Sequence, residues 1–267
     1  MWPVARMLFV LVSMPLCLQA QYHIEKNISL NSEHLGEVRK IQISVPKEFD
    51  FNGKEKMDVL YILDGEWATS LTKTAYEFLA YAEFIPTNIL LVSIPNSYKQ
   101  GANMRRRDFV PVVSEQQLVS QGVTNFQLFI KEELIPLINS TYPTHPQNNI
   151  VYGSSLGGLF AIYTFLQEPS LFKSYLVIEP VLQYQDHYIN TLAREQLEKK
   201  EKRDQIVWIS SREGKPFKAM GSADLSLTLQ SKTPLGLRWK VATYSNETHF
   251  SVIWKGLYDG LKFIYKK

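Results

Sequence analysis

The chain has 267 residues, of which 45% are hydrophobic, and its formal net charge is +3. This length suits one large domain, and the absence of a block of basic residues argues against a nucleic-acid-binding function. The only cysteine, Cys17, lies in an apolar N-terminal segment. A mature chain without that segment would have no disulfide and no cysteine ligand for a metal.

The first 20 residues have the pattern of a cleavable secretory signal. Arg6 supplies a positive charge, residues 7–18 are apolar, and Ala20 is a small residue at a suitable cleavage point. The apolar run is shorter than the roughly 20 residues of a membrane-spanning helix. We therefore predict a signal peptide over residues 1–20, a single domain over residues 21–267, and a secreted or periplasmic protein that is not inserted in a membrane. The oligomeric state stays open.

The elements of the predicted domain follow a regular order. Residues 22–30 and 37–45 show the alternation of an antiparallel hairpin at a sheet edge. Residues 57–63 form a continuous apolar run, as expected of a strand buried on both faces. The following predicted elements are helix 67–83, strand 88–94, a long irregular stretch 96–120, helix 123–139, strand 149–153, helix 156–167, strand 175–178, helix 186–202, strand 206–210, helix 224–230, strand 237–244 and helix 251–265.

From residue 57 onward, strands alternate with helices. This order predicts an α/β fold with a mostly parallel sheet and helices on both faces. Ligand sites in such folds lie beyond the carboxyl ends of the strands. The segments to search are therefore 64–67, 96–110, 153–156, 211–224 and 245–250.

Residues 153–157 form a Gly-x-Ser-x-Gly pentapeptide between an apolar strand and a helix. A serine on such a turn is held in a strained conformation with its hydroxyl exposed, while Gly153 and Gly157 permit the strand and helix to approach closely. Ser155 is therefore the candidate nucleophile. A serine hydroxyl needs a neighbouring base, which is most often histidine.

The histidine and the acid of a catalytic triad are sought C-terminal to the serine. His249 is the last histidine and lies between the last strand and the last helix, where the order serine, acid, histidine requires it. His187 is the reserve candidate. The acid candidates are Glu213, which we favour because it follows strand 206–210, and then Asp224, Glu179 and Glu247.

An oxyanion hole needs two backbone N–H groups that point at the developing negative charge. One is expected from Leu156, directly after the nucleophile, and the other from Glu66 or Trp67, after strand 57–63. Near these groups, Trp67, Tyr98 and Phe109 are candidates for stacking on an aromatic group of a substrate. The cluster Arg105, Arg106 and Arg107 is a candidate for binding an anionic group.

Six segments, in order along most of the chain, resemble the esterase D and enterochelin-esterase-like group of α/β-hydrolases. They are 59–66 (VLYILDGE), 93–96 (SIPN), 107–111 (RDFVP), 153–158 (GSSLGG), 249–252 (HFSV) and 257–263 (LYDGLKF). The resemblance implies ester hydrolysis by a serine, acid and histidine triad, without a metal or other cofactor.

Carried over by position, the family's triad falls on Ser155, Glu213 and His249. Members often have Ser-Pro where this chain has Glu179-Pro180, and often glycine where Phe250 stands and would narrow the pocket. The sequence thus predicts a serine carboxylesterase that acts on a small-molecule or glycan-linked ester. The alternative is a siderophore- or glycan-binding protein that uses the same fold without catalysis.

Overall fold

The computed structural model describes residues 22–47, 49–111, 121–199 and 201–266. The predicted signal segment, residues 1–20, lies outside these ranges. The described strands form an eight-stranded sheet in the order β1-β2-β4-β3-β7-β8-β9-β10, together with a small hairpin of β5 and β6. The strands are β1 (Tyr22–Ser32), β2 (Glu37–Pro46), β3 (Met57–Leu63), β4 (Ile89–Ile94), β5 (Tyr98–Lys99), β6 (Ala102–Asn103), β7 (Thr144–Ser154), β8 (Ser174–Ile178), β9 (Ile206–Arg212) and β10 (Arg238–Tyr244).

The helices alternate with these strands as the sequence predicts. They are α1 (Gly65–Tyr81), α2 (Arg105–Phe109), α3 (Gln121–Leu128), α4 (Ile135–Thr141), α5 (Leu156–Gln167), α6 (Tyr184–Glu198), α7 (Lys215–Ala219), α8 (Ser222–Lys232) and α9 (Ser251–Tyr265). A π-helical segment, Phe129–Leu134, joins α3 to α4, and a 3₁₀ turn, Pro169–Leu171, follows α5. No helix in the described part of the chain has the length and apolar character needed to cross a membrane.

The predicted sheet arrangement is confirmed. β4, β3, β7, β8, β9 and β10 pair in parallel, whereas β1 pairs with β2, and β2 with β4, in antiparallel fashion. The carboxyl ends of the six parallel strands therefore lie at one edge of the sheet. The loops that carry the candidate residues meet at that edge.

The sheet is covered on both faces, and β3 shows how its sequence achieves this. Val59, Tyr61 and Leu63 belong to one buried cluster, to which α3, α5, α6 and α8 also contribute, while Leu60 and Ile62 belong to a second cluster with α1 and α9. Successive side chains of a strand point to opposite faces, so a strand between two helical layers must be apolar at every position.

Several elements differ from the sequence prediction: α7 was not predicted, and β7 begins at Thr144 rather than at residue 149. The helix predicted over residues 123–139 runs over 121–141 and changes to π-helical hydrogen bonding at Phe129–Leu134, just before Pro136. Proline has no N–H to donate, so Pro136 interrupts the α-helical hydrogen bonding of the preceding turn, and α4 begins again with this proline in its first turn. Within the stretch predicted as irregular, residues 98–103 form the β5–β6 hairpin and Arg105–Phe109 forms α2. The part 112–120 lies outside the described residues.

Candidate active site

Ser155 stands on a strained turn between β7 and α5, as the pentapeptide predicts. Its φ and ψ are 55° and −116°, a conformation that side-chain-bearing residues rarely adopt. The neighbouring glycines explain how the turn closes, because a Cβ added to Gly153 would lie 2.2 Å from the Gly157 carbonyl oxygen. The sequence therefore builds a serine at the carboxyl end of a central strand, half-buried and next to a helix N-terminus.

Glu179, directly after β8, is the carboxylate next to His249. Its side chain is 0% exposed, and its Oε1 lies 3.8 Å from His249 Nδ1. The backbone on either side of Glu179 contacts the serine turn: the Ser155 N–H donates to the Ile178 carbonyl oxygen at 3.0 Å, and the Val181 N–H donates to the Ser155 carbonyl oxygen at 3.4 Å. β8 lies between β7 and β9 in the sheet, so the residue at its end lies beside the serine and within reach of the loop after β10.

The expectation that Glu213 is the acid is corrected by this geometry. Glu213 lies one residue beyond β9 with an exposed side chain, and its backbone N–H donates to the Tyr244 carbonyl oxygen. Asp224 is exposed in the first turn of α8, and Glu247 contacts Ser251 and Lys255. Among the sequence candidates, only Glu179 places a carboxylate oxygen within 4 Å of the His249 ring in the described part of the chain.

Arg212 is a residue of this site that the sequence analysis missed. Its Nε donates to Glu179 Oε1 at 2.7 Å, and its backbone N–H donates to Oε2 at 2.7 Å. Burial raises the pKa of Glu179, but the His249 ring and the Arg212 guanidinium and N–H together bring it below its ordinary value. Glu179 therefore stays ionised in its buried position. The sequence feature that could have identified Arg212 is its position, because it ends β9, a strand whose carboxyl end borders the site.

His249 is held by the start of α9. The Ser251 N–H donates to Thr248 Oγ1 at 3.0 Å, and the Thr248 N–H donates to Ser251 Oγ at 2.9 Å, a reciprocal arrangement like a capping box. Next to this arrangement, Lys255 Nζ and Glu247 Oε1 form an ion pair at 2.5 Å. These bonds fix the backbone on both sides of the imidazole. His187, the reserve candidate, lies at the start of α6, where its Nδ1 has no partner among the described residues.

The two expected oxyanion donors lie on adjacent turns. A Cβ added to Gly157 would lie 3.3 Å from Asp64 Oδ2, so the turn after β7 and the turn after β3 approach each other closely. The Leu156 N–H has no acceptor in the described part of the chain. The Trp67 N–H donates to the Asp64 carbonyl oxygen at 3.2 Å, whereas the Glu66 N–H is free among the residues that the structure describes. The geometry favours Glu66 over Trp67 as the second donor.

Two of the expected substrate-binding residues have other roles. Arg107 donates to both carboxylate oxygens of Glu37, at 2.9 and 2.8 Å, and to Asp108 at 2.7 Å. Phe109 is 1% exposed and packs against Phe126 and Phe160 in the core. Both expectations are corrected, because each side chain is already engaged by the protein.

Exposed aromatic side chains remain beside the site. Phe250 is 79% exposed, and its ring stands edge-on to the His249 imidazole with the centroids 5.6 Å apart. Trp67, in the first turn of α1, is 42% exposed. Tyr98 is 63% exposed but lines a groove that includes neither Ser155 nor His249. Of the three consecutive arginines, Arg106 is exposed and forms no ion pair with a described residue, and its guanidinium lies 5.2 Å from the centre of the Tyr184 ring.

Ser155 Oγ makes no hydrogen bond to any residue that the structure describes. Catalytic hydrogen bonds are often long or poorly aligned before substrate binds. The described geometry therefore assembles a presented serine, a buried carboxylate with a histidine beside it, and two free backbone donors at one edge of the sheet. This arrangement can carry out nucleophilic attack on a carbonyl group.

A groove of about 650 Å³ lies elsewhere, between β1, β2 and the segment after β4. It is lined by residues such as Asn27, Val38, Gln42 and Tyr98, and neither Ser155 nor His249 takes part in it. The groove therefore lies apart from the strained serine and the histidine that mark the candidate active site.

Known proteins share both the sequence pattern and the fold. Residues 32–243 match the model of the esterase family described as "Putative esterase". The chain is 24% identical over 174 residues to the ferri-bacillibactin esterase BesA of Bacillus subtilis, covering 57% of this chain and 58% of that one. It is 27% identical over 137 residues to S-formylglutathione hydrolase of Bos taurus, covering 47% of each chain. The matches thus span about half the length of these relatives.

Among solved structures, an IroE-like serine hydrolase from Shewanella oneidensis has a TM-score of 0.76 and 27% identity, with 91% of this chain and 80% of that chain covered. The enterobactin esterase FES from Shigella flexneri shares the fold, with a TM-score of 0.68, 22% identity and coverage of 94% and 61%. Since the family match extends over most of the chain, the protein belongs to this esterase family of α/β-hydrolases.

Proposed function

We propose that this protein is a serine esterase whose triad is Ser155, His249 and Glu179. The observation that carries the proposal is the position of Glu179, which is buried at the end of the strand next to the serine turn, with its Oε1 3.8 Å from His249 Nδ1. The strained backbone of Ser155 supports the same role, because strain of this kind is maintained at functional sites.

The proposed reaction runs through an acyl-enzyme. Ser155 Oγ attacks the carbonyl carbon of the ester while its proton passes to His249 Nε2. The N–H groups of Leu156 and Glu66 stabilise the negative charge on the carbonyl oxygen. His249 then gives the proton to the leaving oxygen or sulfur, and the bond to the leaving group breaks. A water molecule repeats the sequence on the acyl group and releases Ser155.

A fluorophosphonate probe tests this proposal directly. Such a probe reacts with a serine that a base has activated, so we expect it to label Ser155, as mapped by mass spectrometry of the tryptic peptides. Turnover of p-nitrophenyl acetate should be lost in proportion to labelling. Ligand binding with neither labelling nor turnover would instead indicate a binding protein on a hydrolase fold.

For the substrate, we propose a small-molecule or glycan-linked ester with an aromatic or anionic part. The exposed aromatic side chains Trp67 and Phe250 offer stacking surfaces near the proposed triad. The names of two relatives point to a siderophore ester and a glutathione thioester. A panel of short acyl, feruloyl, acetyl-xylan, catecholate trilactone and glutathione thioester substrates would rank these classes by kcat/KM.

We further propose that Arg106 binds the anionic part of the substrate, since Arg105 and Arg107 are occupied by carboxylates. The Arg106→Gln substitution is expected to raise KM about fivefold for an anionic ester, because an exposed ion pair contributes about 1 kcal/mol. KM for the neutral p-nitrophenyl acetate should stay unchanged. Arg194→Gln, which removes a charge from the exposed surface of α6, is the control. Equal effects on anionic and neutral esters would contradict the proposal.

We propose that the protein is exported to the periplasm or secreted. The support is the sequence of residues 1–20, with its basic start, apolar stretch and small residue at the end. Expression with the full N-terminus in a host with a secretion pathway should give a mature protein that begins near residue 21, as read by N-terminal sequencing. Cytoplasmic material that still begins at residue 1 would contradict export.

A further inference from the structure

Asp64, between β3 and α1, is a buried residue in an unusual conformation. Its φ and ψ are 55° and 41°, the left-handed region, and its side chain is 1% exposed. Its carbonyl oxygen accepts the N–H groups of Trp67 and Ala68 in the first turn of α1. The conformation of Asp64 therefore sets the direction in which the Glu66 N–H points, and a conformation that costs about 1 kcal/mol or more needs contacts that maintain it.

Arg105 supplies the main contacts to this aspartate. Its Nε and Nη2 donate to Asp64 Oδ1 at 2.5 Å and Oδ2 at 2.8 Å, a bidentate pair that fixes both position and orientation. Asn96 Nδ2 donates to the same Oδ1 at 2.9 Å. Asn96 Nδ2 also donates to the Glu66 carboxylate at 2.6 Å, so the same amide holds the Glu66 side chain in the first turn of α1.

The same guanidinium reaches the nucleophile's strand. Arg105 Nη2 donates to the carbonyl oxygen of Ser154 at 3.3 Å, one residue before the nucleophile. Arg105 thus bridges the turn after β3 and the turn after β7. These are the two backbone segments that carry the proposed oxyanion donors, the N–H groups of Glu66 and Leu156.

The helix α2, which carries Arg105, is held in place by ion pairs that its other residues form with β2. Asp108, which is 0% exposed, pairs with Arg39 of β2 at 2.7 Å, and Arg107 pairs with Glu37. The hydrogen bond from Arg107 lowers the pKa of Glu37 to about 2, so this pair stays charged at neutral pH. The short helix α2 is thereby fastened to the N-terminal hairpin, and Arg105 extends from a fixed base.

We propose that Arg105 is a positioning residue that sets the spacing of the two oxyanion donors by clamping Asp64 to Ser154. This inference rests on the proposed function, because it concerns the transition state of that reaction. Arg105 needs no contact with the substrate for this role, and its guanidinium is already occupied by Asp64 and Ser154. Displacement of one donor by about 1 Å can lower a rate by about 10²-fold.

The test compares Arg105→Met with Arg105→Lys. Arg105→Met is expected to lower kcat for p-nitrophenyl acetate by about 10²-fold. KM should change by less than about threefold, since the donors act mainly on the transition state. Affinity for a phenylboronic acid, which forms a tetrahedral adduct with the serine, should fall in parallel with kcat. Arg105→Lys should recover only part of the loss, because an ammonium cannot make the bidentate contact.

Removal of Arg105 alone leaves the Asp64 carboxylate buried without its partner, which can prevent folding. The double variant Arg105→Met with Asp64→Asn removes that charge as well. It should unfold in a cooperative thermal transition and still show the low kcat, because the clamp is absent. Arg194→Met on the exposed surface of α6 is the matched arginine control and should behave as wild type.

A folded Arg105 variant with kcat within about threefold of wild type would overturn the proposal. A rise in KM with unchanged boronate affinity would also overturn it, since that result indicates a substrate contact. Failure of the proposed function looks different, because in that case the serine probe would label neither the wild type nor any Arg105 variant.

Discussion

Replacement of Ser155 by alanine is expected to lower kcat/KM for p-nitrophenyl acetate by about 10⁶-fold. The reason is that alanine has no oxygen to form the acyl-enzyme, and loss of the nucleophile in a serine triad has an effect of this size. Steady-state kinetics with the purified variant would measure it. Labelling by a fluorophosphonate should vanish at the same time.

The Ser155→Ala variant should remain folded, which makes the measurement easy to interpret. Serine and alanine both carry a Cβ, so the strain of the left-handed φ at this position is unchanged. The midpoint of thermal unfolding should therefore stay close to that of wild type. Retention of even one-tenth of the wild-type kcat/KM would show that another group is the nucleophile.

Glu179→Gln is expected to lower kcat by about 10⁴-fold, the size of effect seen when a triad acid becomes an amide. Glutamine has nearly the same shape but no negative charge to stabilise the imidazolium that forms during attack. The NH₂ group of glutamine can also place a hydrogen-bond donor against His249 or Arg212, where the glutamate carboxylate offers only acceptors. The measurement is kcat at saturating p-nitrophenyl acetate.

Glu213→Gln is the matched control for this prediction. Glu213 follows β9, as the sequence analysis favoured, but its side chain is exposed and forms no ion pair with any described residue. Its amide variant should keep kcat within about threefold of wild type. The reverse outcome, with a large loss for Glu213→Gln and none for Glu179→Gln, would restore the sequence-based choice and refute the geometric one.

The architecture was predictable because its signals are local and repeated. Strands buried between two helical layers read as continuous apolar runs, as β3 does, and α9 shows apolar residues at helical spacing that all lie in the core. The boundaries were less accurate where one residue changes the hydrogen bonding. Pro136 is an example, since the pattern turns π-helical just before it.

The choice of acid could not be made along the chain. Glu179, Glu213 and Glu247 follow strand ends, and Asp224 lies in the first turn of a helix. Their order along the chain does not show which of them lies closest to His249. The structure separates them because β8 lies beside β7, which brings Glu179 next to the serine turn and leaves Glu213 in solvent. One sequence feature pointed to this position, because the chain has Glu179-Pro180 where members of the family often have Ser-Pro.

The three consecutive arginines show the same limit. Composition suggests one basic cluster, but each guanidinium in the structure has a separate environment. Arg105 pairs with Asp64, Arg107 pairs with Glu37 and Asp108, and Arg106 lies over a tyrosine ring. Neighbouring residues of a short helix point in different directions, so their partners depend on which distant strands pack around that helix.

The sequence by itself determined the alternating strands and helices, the glycine-flanked serine and the histidine placed before the last helix. Each of these depends on residue type and spacing over a few positions, which is the range over which backbone sterics and hydrophobic periodicity act. Only the tertiary structure decided that Glu179 stands beside His249, that Arg212 keeps it ionised and that Arg105 joins the two oxyanion turns. Those contacts join residues 33 to 70 positions apart, and charges so far apart along the chain meet only because the order of strands in the sheet brings them together.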